Sequence, residues 1–412
     1  MKIRLVAGAS VAALSVSAAM VPALPAANPL EIALAGNPSP TTTLDRGKLK
    51  STLDAVHRAG IPGVYAEVRA GGEVWRDASG VADLGTGRPV TPDMRQRVGS
   101  ITKTFTAAAI MQLAERGRLE LDAPIGRYLP QLVPGERGHK ITVRMLLNHT
   151  SGIPEYLPYA FPSLQSFPSD TSPKSLDDNR FRQFDKGELI KMGLTAPATG
   201  EPGGATGVYS NTNYLLLGEI LEQVTSTPAE TYITRNIIAR AGLRNTEFPT
   251  GARIKGPHPR MYEALYGLIE PPRDYSVYNM SWVSTGAALV STVEDVNRFY
   301  GMLFSGTIVE RQSLAQMQRT IPVRTQDGHQ MIDYGLGLQR FTIAGCGSFW
   351  GHDGTVWGAQ TMSLTSADGK RRMSVAMNLA RWNELDSAGQ PQHHSIDAAL
   401  SNLYRQAMCG RL

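Results

Sequence analysis

The chain has 412 residues, 42% of them hydrophobic and 19% charged, enough for one large domain or two intertwined ones around a real core. A net charge of +5 without a basic stripe is too mild for a nucleic-acid partner. There is no His-Glu-x-x-His, and the adjacent His393 and His394 would point apart in a helix or a strand, so neither a metal nor another cofactor is expected.

Lys2 and Arg4 precede an apolar run, LVAGASVAALSVSAAMVPAL, followed by small-residue cleavage points at Ala19, Ala27 or Ala35. Residues 1–35 read as a secretory signal peptide; the run is too rich in Ala, Ser and Pro for a membrane anchor, and a secreted, extracellular protein is expected. Residues 36–43 read as a mobile leader and 44–412 as a single domain. Leu44 to Ala59 patterns as a helix, and GVYAEVRAGGEVWRDASGVADL alternates around a Gly-Gly turn as a hairpin. RVGSITKTFTAAAIMQLAERG is a helix that is apolar on nearly every side and closes at Gly117. ITVRMLLNHTSGIPEY is a short helix running into a loop, and Pro154 to Gly207 is an elaborated surface region. NTNYLLLGEILEQVTS is a second strong helix, with Leu216, Ile220 and Val224 on one stripe. A helix near TVEDVNRFYGML follows, then strands at DYGLGLQRFTI, GSFWGHDG, AQTMSLTSADG and RRMSVAMNLA, and a closing helix at SIDAALSNLYRQAM. Strands at both ends with helices between them predict an α+β fold. One antiparallel sheet is built from both chain ends and flanked by helices, with a mostly helical region, 121–280, inserted. Cys346 and Cys409, an even pair in an exported chain, read as a disulfide.

Three local patterns carry chemistry. Ser100-Ile101-Thr102-Lys103 is the only Ser-x-x-Lys in the chain. Residues three apart share a helix face, and burial that lowers the lysine's pKa turns it into a base for the serine. The helix N-terminus adds backbone N–H groups and positive potential for a developing anion. Tyr209-Ser210-Asn211 follows a Gly-rich stretch and opens a helix. There a tyrosine can shuttle a proton if cations favour its phenolate, and Asn211 can offer an amide to a substrate. His352-Asp353-Gly354-Thr355 ends a strand between glycines, so an extended substrate can approach its edge. The Thr355 and Ser100 N–H groups could then pair as an oxyanion hole. Each pattern also has a plain reading: a lysine reaching solvent, a helix cap, a satisfied core histidine.

In that order, and with RVGSITKTFTA, ITVRMLLNHTSG, YSNTNYLLLGEILE, SWVSTGAALVST, YGLGLQRF and GHDGTVWG, the chain resembles the serine β-lactamase and penicillin-binding protein superfamily. The likeness falls in the class C-like branch, nearest the secreted actinomycete D-alanyl-D-alanine carboxypeptidases, and runs from about Leu44 to the C-terminus. It implies a β-lactamase/transpeptidase-like fold. It makes Ser100 the acylated nucleophile, Lys103 the group that assists its deprotonation and Tyr209 the relay to the leaving amine. His352 stands where a lysine usually does. Asn211 would hold the acyl amide, Phe161 and Trp282 would wall the cleft, and Thr355 would bind through its backbone. Two positions depart from the relatives: an arginine for a terminal carboxylate is replaced by Gln339, and a threonine after the histidine by Asp353. Arg340, next along the strand, points to the other face.

What the resemblance implies is a monomeric D-alanyl-D-alanine carboxypeptidase or transpeptidase acting on cell-wall stem peptides and acylated by β-lactams. A serine esterase or D-aminopeptidase of the same fold is favoured by the lost arginine. A class C-like β-lactamase is disfavoured by His352, and an inactive penicillin-binding sensor by the retention of Ser100, Lys103 and Tyr209.

Overall fold

The computed structural model describes residues 43–165, 171–325, 330–387 and 389–410. The expected signal peptide, and the leader up to residue 42, lie outside the described residues.

The frame is a nine-stranded sheet. Its order is Glu73–Gly80, Gly63–Ala70, Arg372–Met377, Ala359–Thr365, Gly347–Val356, Gln339–Ile343, Met331–Tyr334, Ile321–Arg324 and Gly207–Val208. All neighbours are antiparallel except the last pair, which is parallel. Ala66 stands opposite Val375, so the two chain ends make one sheet, as their strand patterns predict.

Alternation explains how the sheet is covered. Val64, Ala66 and Val68 share one face with Met362, Leu364, Met373, Val375 and Met377. That face packs under helices Arg46–Arg58 and Ser395–Cys409 through Leu49, Leu53, Val56, Leu400 and Leu403. The Cys346–Cys409 disulfide ties the end of the closing helix to the turn before Gly347, with Cα atoms 5.7 Å apart.

The larger core lies on the other side, around helix Thr102–Glu115, every residue of which from Thr102 to Leu113 is buried. Its hydroxyls are spent inside the fold: Thr104 donates to Gly337 O at 2.8 Å and Thr106 to Thr285 O at 2.8 Å. Helix Asn211–Thr225 packs beside it, and Phe299 of helix Val293–Phe304 stacks on Phe105 at 3.7 Å between centroids.

Three expectations change. DYGLGLQRFTI forms two strands, because the chain reverses at Gly335, whose N–H bonds Leu338 O at 2.7 Å. Gly337 fits the turn at φ 71°, and a Cβ there would meet Ala107 Cβ at 2.4 Å. His352 lies within strand Gly347–Val356 rather than at its end. Pro154 to Gly207 carries short helices Leu157–Ala160, Lys174–Asp178 and Lys186–Thr195 that bury Leu157, Leu176, Leu189 and Ile190 in the core, so it is more than surface elaboration. In the 121–280 region helices are the main regular elements, but loops take up more of its described residues than helices do, and its strand Gly207–Val208 joins the main sheet.

Candidate active site

Ser100 sits in a 3-10 turn, Gly99–Ile101, that feeds directly into helix Thr102–Glu115. Two glycines let this turn meet strand Gly347–Val356 backbone to backbone. A Cβ on Gly99 would lie 2.6 Å from the Thr355 nitrogen, and one on Gly354 would lie 1.9 Å from Val98 O and 2.8 Å from the Ser100 nitrogen. The N–H groups of Ser100 and Thr355 are thereby neighbours, the arrangement an oxyanion hole needs. Pairing with strand Gln339–Ile343 stops at Gly351, so beyond it the strand edge next to Ser100 has no strand partner among the described residues.

Lys103 is fully buried one turn into the helix. Its Nζ reaches Ser100 Oγ at 3.1 Å, Asn211 Oδ1 at 2.6 Å and Gly286 O at 3.0 Å. Burial brings its pKa down to about 7, against the opposing pull of the Glu155 and Asp353 carboxylates. A lysine that loses its proton near neutrality can accept the serine's. Glu155 sets up this contact: one carboxylate oxygen accepts from Asn211 N at 2.7 Å and Asn211 Nδ2 at 3.0 Å, and the other accepts from Leu157 N at 3.1 Å. With Nδ2 held by Glu155, Asn211 turns Oδ1 to Lys103. Each end of its amide thus has one partner inside the protein, and a carboxamide's second N–H and second lone pair leave capacity for the substrate's acyl amide that the resemblance assigns to it.

Tyr209 follows strand Gly207–Val208, its N–H bonded to Arg324 O at 2.9 Å. The Lys103 Nζ lies 4.9 Å from its ring centroid. Burial pushes the phenol well above its usual pKa; the adjacent Ser100 hydroxyl opposes this, and the Asp353 charge adds to it. The hydroxyl makes no hydrogen bond of normal geometry among the described residues. The direction of this shift favours the proton-bearing phenol, while the nearby Lys103 is the cation that could favour the phenolate. His149 stacks on it at 4.3 Å between centroids and accepts at Nδ1 from Ser210 N at 3.2 Å, and burial holds its pKa well below the ordinary histidine value.

His352 is fully buried, with Nε2 3.0 Å from the Tyr334 hydroxyl and Nδ1 2.5 Å from Asp353 O and 3.4 Å from Asp353 Oδ1. Both ring nitrogens thus have partners, and Tyr334 in turn packs edge-on to Tyr209. Gln339 and Asp353 meet: Gln339 Nε2 donates to Asp353 Oδ1 at 2.9 Å. Arg340 pairs with Asp333 at 2.7 Å on the exposed side. Arg381 pairs with Glu263 at 2.6 Å and lies over Trp357. Each of these guanidiniums already has its own carboxylate. Phe161 and Trp282 do come together, with ring centroids 5.5 Å apart, but in a buried cluster with Trp357 rather than as an exposed wall.

Glu155, His149, Tyr334 and the Gly286 carbonyl were not singled out as functional in the sequence. The signal for the first two was the polar run NHTSGIPE directly after a buried Leu146-Leu147.

The chain is similar to esterase EstB of Burkholderia gladioli, 31% identical over 216 residues that cover 50% of this chain and 53% of the esterase. It is 27% identical over 338 residues to a D-aminopeptidase of Cereibacter sphaeroides, covering 82% of this chain and 60% of that one. The matches thus span between half and two thirds of the length of these relatives. A D-stereospecific amidohydrolase from Streptomyces sp. superposes with a TM-score of 0.74 at 30% identity, covering 89% of this chain and all of that one. The Beta-lactamase family model matches residues 49–398, and the chain belongs to that family.

Proposed function

We propose that this protein hydrolyses amide bonds of D-amino acid derivatives through an acyl-enzyme on Ser100. It acts as an amidase or aminopeptidase in preference to a carboxypeptidase on free D-alanyl-D-alanine ends. Neutral Lys103 takes the Ser100 proton as Oγ attacks the carbonyl, and the carbonyl oxygen sits between the N–H groups of Ser100 and Thr355. Tyr209 gives its proton to the leaving nitrogen, and the Lys103 ammonium restores it. Water then repeats the sequence in reverse and releases the acid.

The observation that carries the leaving-group preference is the Gln339–Asp353 pair at 2.9 Å. A free carboxylate is bound by charge-assisted bonds to a cation, and this pair offers a neutral amide and a carboxylate instead. The likeness to a D-stereospecific amidohydrolase over its whole length supports the same reading. The Cys346–Cys409 disulfide supports action outside the reducing cytoplasm, in line with the N-terminal address.

The test is a substrate panel: D-amino acid amides, D-alanyl-D-alanine peptides, short-chain esters and a chromogenic cephalosporin, with release measured on each. The D-amino acid amides should show the highest kcat/KM. A dominant activity on free D-alanyl-D-alanine ends would return the protein to the carboxypeptidase reading.

A further inference from the structure

We propose that Asp353, together with Gln339 and Thr355, forms a subsite for a primary ammonium group on the substrate. The proposal rests on the amide-hydrolase reading above and names the charge its substrates carry. Among the described residues, Asp353 Oδ2, Gln339 Oε1 and Thr355 Oγ1 are buried and have no hydrogen-bond partner. The three residues are 3%, 2% and 1% exposed. Buried polar atoms are nearly always paired, so these three oxygens call for donors; the Tyr209 and Tyr404 hydroxyls, which feel the Asp353 charge, are orphaned donors of the chain itself, and a ligand can supply the rest.

The strand register puts them together. Asp353 and Thr355 are two apart on strand Gly347–Val356 and share a face. Gln339 stands opposite Gly351, two residues before Asp353, on that same face, and its amide nitrogen is anchored on Asp353 Oδ1. The cluster begins at the residue whose backbone N–H faces Ser100. The side chains lie on the sheet face shared with Met362 and Leu364, at the strand edge that meets the Ser100 turn.

The chemistry selects the ligand. Gln339 Oε1 and the free carboxylate oxygen can only accept, and the Thr355 hydroxyl adds a further acceptor, next to one negative charge. A primary ammonium offers three N–H donors, one positive charge and no acceptor. A carboxylate or phosphate could take the Thr355 O–H but would set its charge and its other oxygens against the Asp353 and Gln339 acceptors. A guanidinium binds best across both oxygens of a carboxylate, and Gln339 already holds one of them. The cations nearby do not fill the role: Arg340 is bound to Asp333 and Arg381 to Glu263. Lys103 is directed to Ser100, Asn211 and Gly286, and His352 faces Oδ1, which leaves Oδ2. Two parts of a substrate can bring the ammonium: the α-amino group of the acyl residue, or an amino group on the leaving amine.

The experiment compares two matched substrate pairs. The first is D-alanyl p-nitroanilide against its N-acetyl form, with the charge on the acyl side. The second is N-acetyl-D-alanine joined to ethylenediamine against the same acid joined to propylamine, with the charge on the leaving side. Ratios of kcat/KM are measured for the parent protein, Asp353→Asn and Asp353→Thr. A hydrogen-bonded charge discriminates by about 10- to 100-fold. One pair should show that preference for the ammonium form in the parent, and it should fall at least about tenfold in both variants. Two uncharged replacements guard against a variant that fails to fold. Ratios near one in both pairs, or ratios that neither variant moves, overturn the subsite. Mass mapping of Ser100 with N-acetyl-D-alanine methyl ester runs alongside. Acylation there with flat ratios overturns the subsite alone, whereas no acylation by any substrate overturns the hydrolase reading and the subsite with it.

Discussion

Gly354→Ala tests whether the nucleophile turn and the substrate strand are held by bare backbone contact. The new methyl carbon would lie 1.9 Å from Val98 O and 2.8 Å from the Ser100 nitrogen. Both are backbone atoms, so no side chain can rotate away. The strand must retreat by roughly 1.5 Å to reach ordinary carbon–oxygen contact. Strand Gly347–Val356 remains paired with Ala359–Thr365, so the fold should survive, at an overpacking cost of about 1–3 kcal/mol. The retreat carries the Thr355 N–H away from the carbonyl oxygen it shares with Ser100. Removal of one oxyanion donor costs about 10²–10³ in kcat, and a 1 Å misplacement about 10². We expect kcat on a D-amino acid amide or ester to fall at least about 100-fold with little change in KM. Near-ultraviolet circular dichroism and a melting curve show whether the variant is folded. A folded Gly354→Ala protein with kcat within about threefold of the parent would refute the placement of the two N–H groups.

Lys103 must be neutral to accept the Ser100 proton, and burial sets its pKa at about 7. Below that pH the ammonium form dominates, so kcat/KM should rise about tenfold per pH unit on the acid side and level off above about pH 7. A profile flat from about pH 5 to about pH 8 would contradict a lysine base. The double change Gln339→Arg with Asp353→Thr restores a cation and removes a carboxylate. It should raise the preference for a free D-alanyl carboxylate over its amide by about tenfold or more in kcat/KM, and an unmoved ratio would count against the assigned role of the pair. The Cys346–Cys409 disulfide joins residues 63 apart, for which chain entropy gives about 4 kcal/mol. Replacing both cysteines with serine should lower the urea-unfolding free energy by about that amount, and a loss under about 1 kcal/mol would show that the cross-link constrains little.

The parts of the site that were legible in the sequence are those written over a few adjacent residues. Ser100 and Lys103 share a helix face because they are three apart, and the apolar run after them announced the burial that brings the lysine's pKa down. The alternation of the first and last strands foretold a sheet made from both chain ends. What stayed hidden depends on segments that meet only in the fold. Asn211 could be noticed, but its orientation comes from Glu155, 56 residues earlier. His149, in the turn after helix Val143–Leu147, and Tyr334, at the end of strand Met331–Tyr334, flank Tyr209 from separate parts of the chain, and no local pattern joins them. The reversal at Gly335 to Leu338 was read through as strand because its leucines keep the alternation; Leu336 and Leu338 are buried in the helical core instead. Gln339 and Asp353 stood out as departures from the resembling family, yet their hydrogen bond to each other follows from register, not from spacing.

The account stands most directly on covalent chemistry at Ser100. The decisive measurement is peptide mass mapping after incubation with a labelled penicillin, in the parent protein and in Ser100→Ala. The account predicts a single adduct on the peptide that contains Ser100, absent from the variant. An adduct elsewhere in the chain, or none in the parent at any concentration, would contradict it.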